Sequence, residues 1–417
     1  MRTVSTPEPS GPSTGPTRLT RRRFLAATGV AGVGALGLAA TQVPWADVFA
    51  SMGDADPAAG ILVVVTLYGG NDGLGTVIPA SDPAYQDARP ELAYRPGEVL
   101  DVGEGLGFNP ALRGLKALFD EGHLAVVRGV GYPEPDHSHF RSMAIWQTAS
   151  PSSPSGAGWL GRWLDAGPDD PLRALSMETV LPPFLVGERR AASTLAPGGL
   201  DLPGGPLGRA VAGFAAPDPS DDVWRARVAA SVGHLQQLQA TTALTLQRST
   251  AGGGSELARQ LELVAGLVEA RVPTRVFSAS LGGFDTHAGE RGTQERLLGQ
   301  VDAALSGFTR RMAASEPGRK VVVLVYSEFG RRVRANASDG TDHGTAGPVF
   351  VLGDPVRGGL HGEQPSLTHL DAGDLKATVD FRDVYAALAE DVLNADGGQV
   401  IPGHTGRLGG LLVRGLL

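Results

Sequence analysis

The sequence predicts an α/β protein: a three-layer, doubly wound, mostly parallel sheet with helices on both faces. Two observations carry this. Short, β-branched, fully apolar runs recur along the chain, as expected of strands buried on both faces. Stretches with helical periodicity alternate with them, the pattern of crossover connections. With 417 residues, 42% hydrophobic and 19% charged, the chain can bury a large core and is not disordered.

The elements follow in order. Residues 1–19 are rich in Pro, Ser, Thr and Gly and read as disordered. Thr20-Arg21-Arg22-Arg23-Phe24-Leu25 then opens an uncharged stretch that runs to Ala40. A basic start, a short apolar run and small residues at Ala40 or Ala50 have the grammar of an export signal. The apolar run falls short of the roughly 20 residues a membrane span needs, so cleavage is expected rather than a retained anchor. Two motif matches in this leader, Gly32–Gly37 for dinucleotides and Gly11–Gly15 for a nucleophile elbow, lack the strand–turn–helix context and are set aside.

Residues 51–417 read as one domain. Strands are expected at Ile61–Leu67, Leu124–Val130, Arg275–Leu281, Lys320–Tyr326 and Pro348–Leu352. Asn109 as N-cap and Pro110 predict a helix carrying Leu112, Leu115, Leu118 and Phe119 on one face. Further helices are expected at 221–248, 255–271, about 293–312 and about 381–393, with Leu235, Leu238, Leu261, Val264 and Leu267 as core candidates. Stretches 150–158 and 196–221 read as surface loops. The 59 glycines, about twice the usual share of roughly 7%, indicate many tight turns.

Composition excludes several functions. There is no cysteine, hence no disulfide, thiolate nucleophile or Cys-ligated metal. The net charge is −8; residues 1–50 carry five arginines against Glu8 and Asp47, so the remainder carries −11. An acidic body argues against nucleic acid as a partner.

Polar motifs gather where strands end. Ile61–Leu67 leads to Asn71-Asp72, Leu124–Val130 to Asp136-His137-Ser138-His139, Arg275–Leu281 to Asp285-Thr286-His287, and Lys320–Tyr326 to Ser327-Glu328; Asp342-His343 follows in the next glycine-rich loop. Open α/β sheets place ligands at this carboxyl edge. Asp285 and His287, two residues apart, point to one side of an extended segment and could chelate one ion. Carboxylate plus imidazole suits zinc, manganese or iron, and two such ions about 4 Å apart could clamp a displacement at phosphorus or sulfur. Each motif also has a structural reading. Asp72 could tighten its turn, Asp136 could be a turn residue, His137 and His139 could be loop histidines, and Glu328 could pair with Arg331 or Arg332 or hydrogen-bond nearby backbone. His361, between Leu360 and Gly362, is a further candidate ligand. Trp159 and Trp163 read as packing, and His123, His234, His369 and His404 as structural or exposed.

The leader, LYGGNDGLGTVIP (67–79), HSHFRSMAIWQTAS (137–150), GWLGRWLD (158–165), GGFDTHAGE (282–290), YSEFGRRVRANASDGTDHGTAGP (326–348) and TVDFRDVYAALAEDVL (378–393) resemble an exported bacterial family known as domain of unknown function 1501. The leader resembles a twin-arginine signal, which implies export of the folded protein by the twin-arginine machinery. The protein is then expected in the periplasm, envelope or medium, touching a membrane only through an uncleaved leader. More distantly, the chain resembles the alkaline phosphatase and sulfatase superfamily, which implies that fold and a two-metal site. By that resemblance Asp72, Asp285, His287, Asp342, His343 and His361 are metal ligands. Ser138 is the nucleophile, with Ser142 as its competitor. Arg141 could steady the charged group. The implied activity is metal-dependent hydrolysis of phosphate or sulfate esters, with zinc or manganese as cofactor and a small anionic ester as substrate. The alternatives are a non-catalytic binding scaffold with an envelope ligand, and a metal-free esterase using Ser138, His343 and Asp285.

Overall fold

The computed structural model describes residue 43 and residues 45–154, 156–195 and 254–413. Residues 1–42 of the leader, the loop expected over 196–221, the helix expected over 221–248, and with them His234, Leu235 and Leu238, lie outside the described residues.

In chain order the strands are β1 (Ile61–Tyr68), β2 (Val77–Ile78), β3 (Leu100–Gly103), β4 (Leu106–Phe108), β5 (Leu124–Gly131), β6 (Ala174–Ser176), β7 (Ser193–Thr194), β8 (Val276–Gly282), β9 (Val321–Tyr326), β10 (Arg331–Ala335), β11 (Thr341–His343), β12 (Gly347–Leu352), β13 (Gly359–His361) and β14 (Val379–Asp380). The main sheet runs β13-β5-β12-β9-β1-β8-β6-β7, with β14 also beside β5. Its pairs are parallel except those of β12, which runs antiparallel to both β5 and β9. The sheet is thus mixed and mostly parallel, as the apolar runs predict. The reversal of β12 follows from its connection: only residues 344–346 separate β11 from β12, too few for a crossover, so the chain re-enters the sheet at the edge it has just left.

The expected burial on both faces is visible residue by residue. In β1, Val63, Val65 and Leu67 join one core and Leu62 and Val64 the other; in β9, Val321, Val323 and Val325 alternate in the same way with Val322, Leu324 and Tyr326. The first core is closed by α1 (Arg113–Asp120), α4 (Glu256–Glu269) and α5 (Glu290–Ala314), through Leu115, Leu261, Val264, Leu267 and Val301. The second is closed by α2 (His139–Thr148), α3 (Trp159–Asp165) and α6 (Phe381–Asp391), where Tyr385 stacks on Trp159 at 4.1 Å. The three layers of the doubly wound class result.

Two expectations shift. Asn109 does not cap α1: its Oδ1 accepts the Ala111 N–H within a turn, and the helix starts at Arg113. The free amides of Gly114 and Leu115 are taken instead by the Asp302 carboxylate of α5, a partner distant in sequence. Asp342 and His343 lie not in a loop but on β11, paired with β10 in register Arg331↔His343.

Leu62 is fully buried at the centre of this sheet. Leu62→Ala is expected to lower stability by about 2–5 kcal/mol, seen as a lower denaturant midpoint at unchanged slope.

Candidate metal centre

The carboxyl ends of β9, β1 and β8 lie side by side, and the turns that leave them are tied together by one side chain. Arg331 is fully buried, and its guanidinium donates to the carbonyls of Gly70 (2.7 Å), Gly69 (2.5 Å), Phe284 (3.0 Å) and Thr341 (3.0 Å) and to Asp285 Oδ1 (2.7 Å). Gly69 has φ +115°, and a Cβ there would stand 2.6 Å from the Asp285 amide nitrogen, so this approach of β1's turn to β8's turn requires glycine. The hairpin β10–β11 is held against the same turn by Thr341 N–H to Thr286 O (3.3 Å) and Gly289 N–H to Ser338 O (3.0 Å).

Three donor atoms converge on the open side of Asp285. His139, Asp285 and His343 each offer one ligand atom, and these atoms lie within 4.8 Å of one another. His139 is the first residue of α2, and its Nδ1 meets Glu328 Oε1 at 2.8 Å, so its Nε2 is directed at the centre. That Nε2 is buried, has no hydrogen-bond partner and stands 3.4 Å from Asp285 Oδ1. His343 meets the His137 carbonyl through Nδ1 (2.7 Å) and Asp285 Oδ1 through Nε2 (3.1 Å). His287 Nε2 lies 2.9 Å from His343 Nε2 and 3.0 Å from Asp285 Oδ1. Glu328 is almost wholly buried and saturated: besides His139, it accepts from Gly69 N–H (2.9 Å) and Ser327 Oγ (2.9 Å). It hydrogen-bonds backbone and His139 rather than pairing with Arg331 or Arg332.

The electrostatics suit a cation. Burial would raise the Asp285 carboxyl, but the Arg331 and His343 hydrogen bonds and the nearby positive charges prevail and bring it down to about 2. Burial lowers the His343 imidazole and outweighs its hydrogen bonds to His137 and Asp285, so the ring stays neutral and ligand-competent. At His139 burial disfavours the charged form, but the adjoining Glu328 and Asp285 overcome it and lift its pKa above the usual value. Two imidazoles and a carboxylate are the donor types of a three-ligand set that leaves a zinc position open, and an ion seated there would displace the proton that the neighbouring carboxylates favour on His139.

The remaining expected residues fall elsewhere. Asp72, matched by resemblance to a metal ligand, is turned inward and 1% exposed, forming a two-pronged salt bridge with Arg89 at 2.6 and 2.9 Å. His361 lies on β13 opposite Val127, four residues before Gly131 where β5 ends, roughly 13 Å below the carboxyl edge. Its Nε2 donates to the Arg357 carbonyl. Asp342 stands at the rim, its Oδ1 3.4 Å from His287 Nδ1 and 3.2 Å from Asn336 Nδ2. The Asn336 hydrogen bond and His287 hold its carboxyl below the usual range. Ser138 is exposed at the N-cap of α2, its hydroxyl taking no part in capping. Arg141, half exposed, has Nε 3.4 Å from Asp136 Oδ2. Ser142 is buried, bonded to Tyr132 Oη (2.6 Å) and the Asp136 carbonyl (2.5 Å), and is not available as a nucleophile. His137 joins Asp374 at 2.7 Å. Beside the centre runs a groove of about 480 Å³, lined among others by Tyr132, Asp136, His137, Phe329, Asp374 and Lys376.

The sequence leaves two members undecided. His139 is one of two candidate histidines around Ser138, and its place at the first position of α2, opposite Glu328, singles it out. Arg331 enters the sequence reading only as a partner for Glu328. Because Asp285 is held near 2 in the folded protein, its ionisation adds stability above the unfolded carboxyl range near 4, and that contribution is lost as pH falls through about 2. Asp285→Asn is therefore expected to flatten the acid limb of metal-free stability between about pH 4 and pH 2, measured by denaturation across that range.

No curated protein matches the chain. Solved structures similar to it include a protein in the alkaline phosphatase superfamily from Vibrio parahaemolyticus, at 9% identity and TM-score 0.41 over 88% of this chain and 78% of that one. Another is the C-terminal periplasmic domain of EcEptC from Escherichia coli, in complex with Zn, at 9% identity and TM-score 0.36 over 72% and 74%. A third is the murine ectonucleotide pyrophosphatase/phosphodiesterase 5, in an inactive form with AMP, at 9% identity and TM-score 0.40 over 84% and 97%. Among the described residues no helix is long and apolar enough to cross a membrane. Residues 236–412 match the family model described as a protein of unknown function, DUF1501, the family that the sequence motifs implied.

Proposed function

We propose that the protein is a metal-dependent hydrolase of phosphate or sulfate esters. The observation that carries the reading is the convergence of His139, Asp285 and His343 on one position, with a buried His139 Nε2 that no protein group satisfies. A zinc ion held there would supply Lewis acidity to an ester oxygen. Manganese is the second choice, because two imidazoles favour zinc.

The chain's own residues account for the rest. Ser138, next to His139 at the start of the ten-residue α2, is the nucleophile: its Oγ loses its proton to solvent and bonds phosphorus or sulfur as the ester alcohol departs, and water then releases the acid. The helix N-terminus and Arg141 steady the negative charge of the bound group. Glu328 and the His137 carbonyl orient the two imidazoles. The leader motif supports export through the twin-arginine machinery, and with it an activity outside the cytoplasm.

A binding scaffold without turnover is the second reading. It is favoured by Arg141 standing beside Asp136 rather than beside the donor set. The full chain loaded with zinc is to be assayed against aryl phosphate and aryl sulfate monoesters. Turnover is expected, lost on chelation, restored by zinc, and lowered at least about 10³-fold by Ser138→Ala. Bound zinc with no turnover on either ester class selects the scaffold. Turnover that survives chelation selects a metal-free esterase.

A further inference from the structure

We infer that this centre takes a single divalent cation, because the carboxylate that would seat a second is occupied by the guanidinium of Arg89. The inference rests on the metal-binding reading above and departs from the two-ion site that the resemblance implies.

Two aspartates leave adjacent parallel strands, Asp72 after β1 and Asp285 after β8, and each is backed by a buried arginine. Their exposures separate them. Asp285 is half exposed and gives Arg331 only Oδ1, the oxygen around which three imidazole nitrogens gather within 3.4 Å. Asp72 gives both oxygens to Arg89 and is sealed from solvent with it. Arg89 is not free to swing away: its Nε donates to Val333 O (2.9 Å) and its Nη2 to Arg332 O (2.8 Å), both on the hairpin strand β10. Releasing Asp72 would strand a buried guanidinium, which is strongly destabilising.

Two other carboxylates nearby, both buried, are also committed. Glu328 is saturated by Gly69, Ser327 and His139. Glu290, buried beside Asp72, accepts from Thr341 Oγ1 (2.5 Å). His361 is remote on β13. Among the described residues, His139, Asp285 and His343 form the one grouping of three donors. Arg89 thus supplies, as a fixed part of the fold, the positive charge that would otherwise come from a second ion.

The test is stoichiometry, read without any assay of activity. The full chain is stripped with chelator, titrated with zinc, separated from free metal and analysed for bound zinc. One equivalent is expected in the wild type and in Asp72→Asn, and at least a tenfold loss in His139→Ala/His343→Ala. Two equivalents in the wild type overturn this inference and leave the metal-binding reading standing. No bound zinc overturns both. A folded Asp72→Asn protein that has lost its ion also overturns the inference. Should Asp72→Asn fail to fold, cobalt(II) titration of the wild type decides alone: an absorbance break at one equivalent supports the inference, and a break at two overturns it.

Discussion

The guanidinium of Arg331 is the constraint on which the rest of the site depends. It lies fully buried where three strand ends meet, and it takes carbonyls from the turn after β1, the turn after β8 and the hairpin strand β11, together with the carboxylate of Asp285. A guanidinium has five N–H donors in a rigid plane, and burying it without acceptors is costly. The turns are therefore held where those acceptors are. Asp285 is fixed as a consequence, and so is its ionisation, since the positive charge beside it cannot leave.

Around that anchor the imidazoles are oriented from behind. Glu328 reaches His139 from the turn after β9, and the carbonyl of His137 reaches His343 from the turn after β5. Each ring thus has one nitrogen spent on the scaffold and one turned toward the same point. This division sets tautomer and direction together, and it draws on segments far apart in the chain. The helix start at His139 matters in the same way.

The contrast between Asp72 and Asp285 shows how one residue type at equivalent strand ends reaches opposite ends by burial. Both follow a buried parallel strand and a glycine turn. Arg89 approaches Asp72 face on and closes it, whereas Arg331 approaches Asp285 from below and leaves its outer side free. The first pair braces the hairpin against the sheet. The second presents a carboxylate to the surface.

Much of this was legible in order along the chain. The apolar runs at 61–67, 124–130, 275–281, 320–326 and 348–352 are strands of the sheet, because burial on both faces demands uninterrupted apolar residues, and that demand is local. The polar motifs at their ends were legible for the same reason, since a parallel strand must finish in a turn. Direction, pairing and choice among like residues were not. The reversal of β12 came from a short connection, the depth of His361 from the register of an edge strand, the closing of Asp72 from an arginine seventeen residues away, and the selection of His139 from a glutamate in the turn after β9. Periodicity and turn chemistry are properties of neighbours in sequence, so the amino-acid order settles the α/β class, the sheet-edge position of the polar motifs and the chemical types available there. Which of those side chains meet, and which are neutralised before they can, depends on distances between residues far apart in the chain, and only folding sets those.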